Sequence, residues 1–322
     1  MNNLTSTKMS VEEFERNKIA VSLMCAITSF ISLSVNGGVA STLLRFRDLR
    51  NSFAYLSVSL ACADCGVLLV FLFMVAPLTY LQDLEAAFKW PGHISLTFWF
   101  ASLYSMLAIA INRYVAIAYP IKYKIIFSAK NTIGVMCVTW SMTVFHSLLY
   151  FIPGCHFVYN PLTFGWYYVK TFCNFVMFFV DVPYGLGFVF MLFCINVATG
   201  IKIHLFNKTM GKKLHKSKED EEQAARFKRE VRFFIQALIN AIVFEFLLVS
   251  FHIISRFITG LFPMFIATSW MWQVSHGTNG FLILLFNGKV RRRFCVCDAG
   301  SVHPVRTVQS SRASKKQESK HY

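Results

Sequence analysis

Seven stretches of the chain are each long and apolar enough to cross a bilayer, and no other feature narrows the fold as much. A crossing helix needs about 20 mostly apolar residues, because hydrocarbon offers no partner to an unpaired backbone group. The stretches run Ile19 to Leu44, Phe53 to Leu81, His93 to Ala118, Thr132 to Pro153, Asn174 to Leu205, Arg232 to Phe257 and Met264 to Phe286. Composition agrees: 55% of the 322 residues are hydrophobic and 15% charged, with a mean hydropathy of +0.50, which leaves no polar surface for a soluble chain. The expected architecture is an all-α integral membrane protein, a seven-transmembrane-helix bundle over residues 19–287. Tails of residues 1–18 and 288–322 flank it.

Basic residues set the expected orientation. Of the 32 lysines and arginines, 26 fall on the side that holds the segments after the first, third and fifth stretches and the carboxyl tail, and 6 fall on the other. The crowded side is expected to be cytoplasmic, with an extracellular N-terminus and a cytoplasmic C-terminus. The net charge of +16 then faces anionic membrane lipid and cytosolic partners, and nucleic acid is not implied. No cleavable signal is expected, since the first 18 residues hold three acids and three bases. Asn3-Leu4-Thr5 is a glycosylation acceptor on the outer side, whereas Asn207-Lys208-Thr209 falls on the inner side. Lys208 to Arg229 reads as a solvated helical extension or loop, and the Ser/Lys-rich tail after Phe294 as disorder. Cys295 and Cys297, beside Arg291 to Arg293, are either palmitoylation sites or unmodified thiols. Cys62 and Cys65, one helical turn apart, read as small packing residues rather than a redox or zinc pair.

Charged residues found inside the stretches include Asp64, Arg113, Asp181, Glu245 and Arg256. Asp181 and Arg256, nearer the ends, are expected to snorkel to water. Asp64 and Glu245 sit near the centres, where an unpaired charge costs at least ~3 kcal/mol, and an interior role is expected for both. Arg113 lies about five residues before its stretch ends, within reach of the membrane surface, of a cytosolic protein or of a neighbouring helix.

Asn112-Arg113-Tyr114 at the end of the third stretch resembles the Asp/Glu-Arg-Tyr motif of rhodopsin-like G-protein-coupled receptors. Asn36, Asp64, Trp140, Pro183 and Asn279 each match one family marker, and Arg291 with Phe294 resembles the start of its short amphipathic eighth helix. INRYVAIAYPIKYKIIFSAKNT, followed by CHFVYNPLTFGWYYVKTFC, looks like the nematode serpentine chemoreceptors of the Srx class. The resemblance covers roughly residues 20–295. It implies a cell-surface chemosensory receptor, in the plasma membrane or a sensory cilium, that couples an extracellular small-molecule or peptide ligand to a heterotrimeric G protein and is no enzyme.

Site expectations follow from the resemblance. Asn112, Arg113, Tyr114 and Asn279 would form the coupling switch, and a match of Phe244 to the family's sixth-helix phenylalanine sets Glu230 opposite Arg113. Asp64, Ser102, Ser275 and Asn279 match the residues that hold an allosteric sodium ion, with no other cofactor implied. Ser95 stands where amine receptors carry aspartate, which argues against a biogenic amine; Ser95, Phe98, Trp99, Trp270 and Trp272 are candidates for the ligand pocket. Departures are equally plain: Asn112 is neutral, the seventh stretch lacks the Asn-Pro-x-x-Tyr proline and tyrosine, and the sixth has no proline. Phe88 occupies the place of the family's third-helix cysteine. Cys155 and Cys173 are therefore expected to pair with each other, two free thiols being the alternative. A transporter or ligand-gated channel is the rival reading, although no internal repeat supports it.

Overall fold

A computed structural model describes residues 10–82, 90–211 and 218–295. Asn3 and Cys297 lie outside these residues, as does Phe88.

Seven helical spans form the bundle. The first is Val11–Arg45, the second Ser52–Leu81, the third Trp90–Ala118 and the fourth Ala129–Phe151. The fifth is Phe172–Gly211 and the sixth Lys218–His252, and the seventh runs continuously through Leu261–Phe265, Ile266–Trp270 and Met271–Phe286. Several starts are set by side-chain caps: Ser10 accepts from the Glu13 N–H at 3.1 Å, Asn51 from Ala54 at 3.0 Å and Ser128 from Asn131 at 3.3 Å. The sixth span begins well before Arg232, so Lys218 to Arg229 is helix, the extended alternative of the sequence reading.

Two spans carry π-helical turns, Phe71–Val75 and Ile266–Trp270, which the apolar pattern does not announce. Pro77 follows the first and Pro263 precedes the second, so each lies about a turn from a residue that cannot donate to the helix ladder.

The burial pattern is that of a membrane protein. Large apolar side chains such as Phe30, Phe73, Phe145, Phe190 and Leu285 face outward, while Ser29, Ser32, Asn36, Asp64, Ser102 and Gln273 are buried. Polar side chains tie the spans together. Asn36 donates from Nδ2 to the His276 carbonyl at 3.1 Å, joining the first span to the seventh. These two helices approach closely at Gly277, where a Cβ would collide with Ser32. Trp140 donates to Ser59 at 3.0 Å, and Ser59 meets Ser105 at 3.3 Å, linking the fourth, second and third spans.

Between the fourth and fifth spans the chain forms an antiparallel hairpin, β1 (Phe157–Asn160) and β2 (Gly165–Tyr168), in the register Phe157 to Tyr168. A disulfide joins Cys155 to Cys173 across its base, Cα to Cα 5.2 Å. The hairpin does not stand free: Phe157, Tyr159 and Phe164 are buried among the helix ends. Tyr159 meets Thr79 at 2.6 Å, Ser269 donates to the Phe164 carbonyl at 3.0 Å, and Phe14 stacks on Phe164. Gly92 lets the third span pass directly under the hairpin, since any Cβ there would collide with the Phe157 carbonyl. The hairpin thus plugs one end of the bundle.

At the opposite end a short helix, Gly288–Cys295, turns across the first span. Val290 is fully buried, the Phe294 ring packs on Gly38, and Arg293 lies over the Phe46 ring at 4.6 Å. Cys295 is exposed.

Candidate functional site

The third span is a buried helix, and near its end it presents Arg113 with only 1% of its side chain exposed. So large a buried cation needs partners, and it makes four hydrogen bonds to three residues. Its Nη1 donates to Glu230 Oε2 of the sixth span at 2.6 Å, and Nε donates to Asn112 Oδ1 at 3.1 Å. Its Nη2 reaches the Asn112 amide oxygen and, at 3.2 Å, the Tyr123 hydroxyl. Phe53 and Phe233 stack on each other, with the guanidinium over their rings at 4.4 and 5.6 Å. Tyr114 is not in this cluster; its ring meets Tyr119 edge-on. The tyrosine that holds Arg113 is Tyr123, on the short helix Pro120–Ile126, which the sequence motif alone does not single out.

Near mid-bundle, Asp64 is buried on the second span. Its Oδ1 accepts from Ser102 at 3.0 Å and lies 2.8 Å from His276 Nδ1. Trp272 donates its indole N–H to His276 Nε2 at 2.9 Å. An indole can only donate, so Nε2 must accept and the proton sits on Nδ1, facing the carboxylate. His276 is therefore a neutral imidazole, and its contact with Asp64 is a hydrogen bond. In the sequence His276 is signalled only by its spacing from Trp272, four residues apart on one helix face. Ser275 donates to the Trp272 carbonyl at 2.8 Å, and Asn279 lies beside Asp64 without hydrogen-bond geometry from its Nδ2. Asp64 Oδ2 is buried and meets no donor among the described residues. That orphaned oxygen, on a buried carboxylate whose other oxygen accepts from the Ser102 hydroxyl, fits a small monovalent cation.

Toward the hairpin end, a cavity of about 580 Å³ opens between the third, fifth and sixth spans. Trp99, Phe100, Leu247 and Trp272 form its apolar walls, with Phe157 and Tyr168 of the hairpin over it. Asp181 does not snorkel to water as the sequence reading expected: its side chain is 10% exposed, and Oδ2 accepts from the Tyr150 and Tyr168 hydroxyls, the latter at 3.1 Å. Burial, and then the charge of Asp181, pushes the Tyr168 phenol well above its ordinary value, which keeps it a donor. Trp99 and Trp272 of the expected pocket set line this cavity, and the others do not. Ser95 is fully buried; Phe98 packs edge-on to Trp140 on another face; Trp270 donates to Thr28 of the first span at 3.2 Å.

A seven-span bundle with a buried arginine at one end, a mid-bundle carboxylate and an aromatic cavity at the other end defines a seven-helix membrane receptor. The fold matches the crystal structure of squid rhodopsin with a TM-score of 0.74 at 16% identity, covering 87% of this chain and 84% of that one. Residues 27–287 match the serpentine type 7TM GPCR chemoreceptors Srx, and the chain belongs to that family. Serpentine receptor class X 45 of Caenorhabditis elegans is 26% identical over 95% of this chain and 87% of that protein. Cannabinoid receptor 2 of Mus musculus is 31% identical over 41% of this chain and 39% of its own length. The protein is a multi-pass membrane protein and a G-protein-coupled chemoreceptor.

Proposed function

We propose that this chemoreceptor, at the plasma membrane or in a sensory cilium, binds an extracellular small molecule or peptide at its hairpin end. The bound state shifts the population toward one whose arginine end, facing the cytosol, accepts a heterotrimeric G protein. The chain performs no covalent chemistry in this reading. The observation that carries it is the pair of Arg113 and Glu230, 2.6 Å apart and bridging the third and sixth spans at the end proposed to meet the G protein. The pair holds the two spans together at rest, and Asn112 and Tyr123 keep the guanidinium inward. Membranes carrying the wild-type chain are expected to support stimulus-dependent nucleotide exchange on a G protein, and Arg113→Ala to lower it tenfold or more, ~1.4 kcal/mol of coupling. Failure of exchange across G-protein subtypes at confirmed surface expression, together with stimulus-gated currents in cells without functional G proteins, would shift the reading to a ligand-gated channel.

Asp64 is proposed as an allosteric sodium site, with Ser102, Ser275 and Asn279 as the neighbouring residues that would help hold the ion; the support for it is Asp64 Oδ2, buried and without a hydrogen-bond partner among the described residues. His276 occupies the other carboxylate oxygen. Sodium supplies a charge that neutralises Asp64 when bound. Asp64→Asn is expected to abolish any dependence of ligand binding on sodium while lithium and potassium controls stay flat; a sodium response unchanged by the substitution would remove the site.

A further inference from the structure

The cavity between the third, fifth and sixth spans carries more charge than its apolar walls require. Asp181 lines it from the fifth span, Glu245 and His252 line it from the sixth at a helical spacing of seven residues, and the exposed Arg256 lines it from the 3-10 turn Ile254–Phe257 that follows the sixth. Glu245 is half-buried near the span centre and has no hydrogen bond or ion pair among the described residues. Asp181 spends Oδ2 on two tyrosines, but its Oδ1 is buried without a hydrogen-bond partner; the nearest cation-forming group, His146 Nε2, stands 3.7 Å away. Two carboxylates against one guanidinium leave the cavity one positive charge short.

The way in is equally specific. The hairpin closes the end of the bundle, and its Phe157 and Tyr168 roof the cavity. The rim instead carries Leu186 of the fifth span, Val249 of the sixth, and Ile253 and Phe257 of the turn that follows it, all exposed on the outer flank of the bundle. A Cβ on Gly185, between these helices, would meet nothing within 4 Å. A ligand crossing this rim comes from hydrocarbon and needs an apolar body.

We infer that the cavity is a binding site for a basic amphiphile, a molecule with one ammonium group and a hydrocarbon or aromatic body, which enters sideways from the bilayer between the fifth and sixth spans and sets its cation against Glu245 and Asp181. Ser95 removes the acid from the third span; the fifth and sixth spans supply it instead. About 580 Å³ is the size of a typical small-molecule site. The inference rests on the receptor reading only for its consequence in signalling, because binding itself can be read without a G protein.

The test uses the full chain in phosphatidylcholine nanodiscs with tritiated dodecylamine as probe and dodecanol and dodecanoate as competitors. The expected result is saturable binding of about one amine per receptor, displaced by unlabelled amine at ~10- to 100-fold lower concentration than by the alcohol or the acid, the gain of a charge-assisted contact. Glu245→Gln, a neutral isostere, is expected to erase that preference while leaving the alcohol unaffected. Gly185→Leu, which fills the rim, is expected to slow association without altering the amine preference. Equal competition by all three chains, no saturable binding to a folded receptor, or an amine preference that survives Glu245→Gln would overturn the inference. Normal amine binding with no nucleotide exchange would count against the receptor reading alone.

Discussion

Glu230→Lys is expected to raise nucleotide exchange in the absence of any ligand. In the resting arrangement Glu230, with 18% of its side chain exposed, is the acid that meets Arg113, whose own side chain is 1% exposed. Lysine there places a second cation against a guanidinium already enclosed by Phe53 and Phe233, and water cannot screen the repulsion well. In the proposed scheme the open state separates the two spans, so the loss of the pair, about 2 kcal/mol at the low end for a buried charge pair, falls on the closed state. The ratio of open to closed receptors then rises ~30-fold. Basal exchange should climb accordingly, while Arg113→Ala should lose exchange because the residue proposed to meet the G protein is gone. The reciprocal swap, Arg113→Glu with Glu230→Arg, should bring basal exchange back toward the wild-type level without restoring coupling. Unaltered basal exchange in Glu230→Lys at normal surface expression would dismiss the pair as a restraint.

Cys155→Ser is expected to lower the apparent melting temperature of the purified receptor by on the order of 5–10 °C. The bond closes a loop of 18 residues, worth about 3 kcal/mol in the chain-entropy account. The loop is no idle appendage: it carries Phe157, Tyr159 and Phe164 into the helix ends and provides the roof of the aromatic cavity. Loosening it should therefore weaken ligand binding as well as stability. Cys173→Ser and the double variant should match Cys155→Ser, because removing either sulfur removes the whole cross-link. A reducing agent should reproduce the shift in the wild type and do nothing further to the variants. Melting of Cys155→Ser within a degree of wild type would show that packing of the hairpin, and not the bond, fixes it.

Much of the architecture was legible in the sequence because a bilayer permits so few solutions. Seven apolar runs had to be seven helices, and their order with Arg113, Asp64 and the two loop cysteines carried the family resemblance. What the runs could not convey is the rotation of each helix. Phe98 and Trp99 are consecutive, yet a 100° turn sends one toward Trp140 and the other into the cavity. Ser95 and Trp270 lie outside the cavity lining for the same reason, and the π turn at Ile266–Trp270 adds a further phase shift that the pattern does not reveal. Depth along a helix suggests a snorkelling Asp181, and only the fold brings it to Tyr150 at the end of the fourth span and Tyr168 of the hairpin. His276 escaped for a related cause: its role depends on the second span, 212 residues earlier in the chain.

The neutral His276 has one further consequence. Trp272 forms part of the cavity wall and also donates the hydrogen bond that fixes the His276 proton on the Asp64 side. A ligand that tilts the indole releases Nε2, and the imidazole is then free to turn or exchange its proton, so Asp64 feels the ligand across two bonds. Thermodynamic reciprocity makes the traffic two-way: any occupant of Asp64 must alter the affinity of the cavity by the same factor by which the cavity's ligand alters the occupant's. Ionic conditions in the bathing medium would thereby set the sensitivity of the receptor, and a stimulus would be read against the salt background in which the cell meets it.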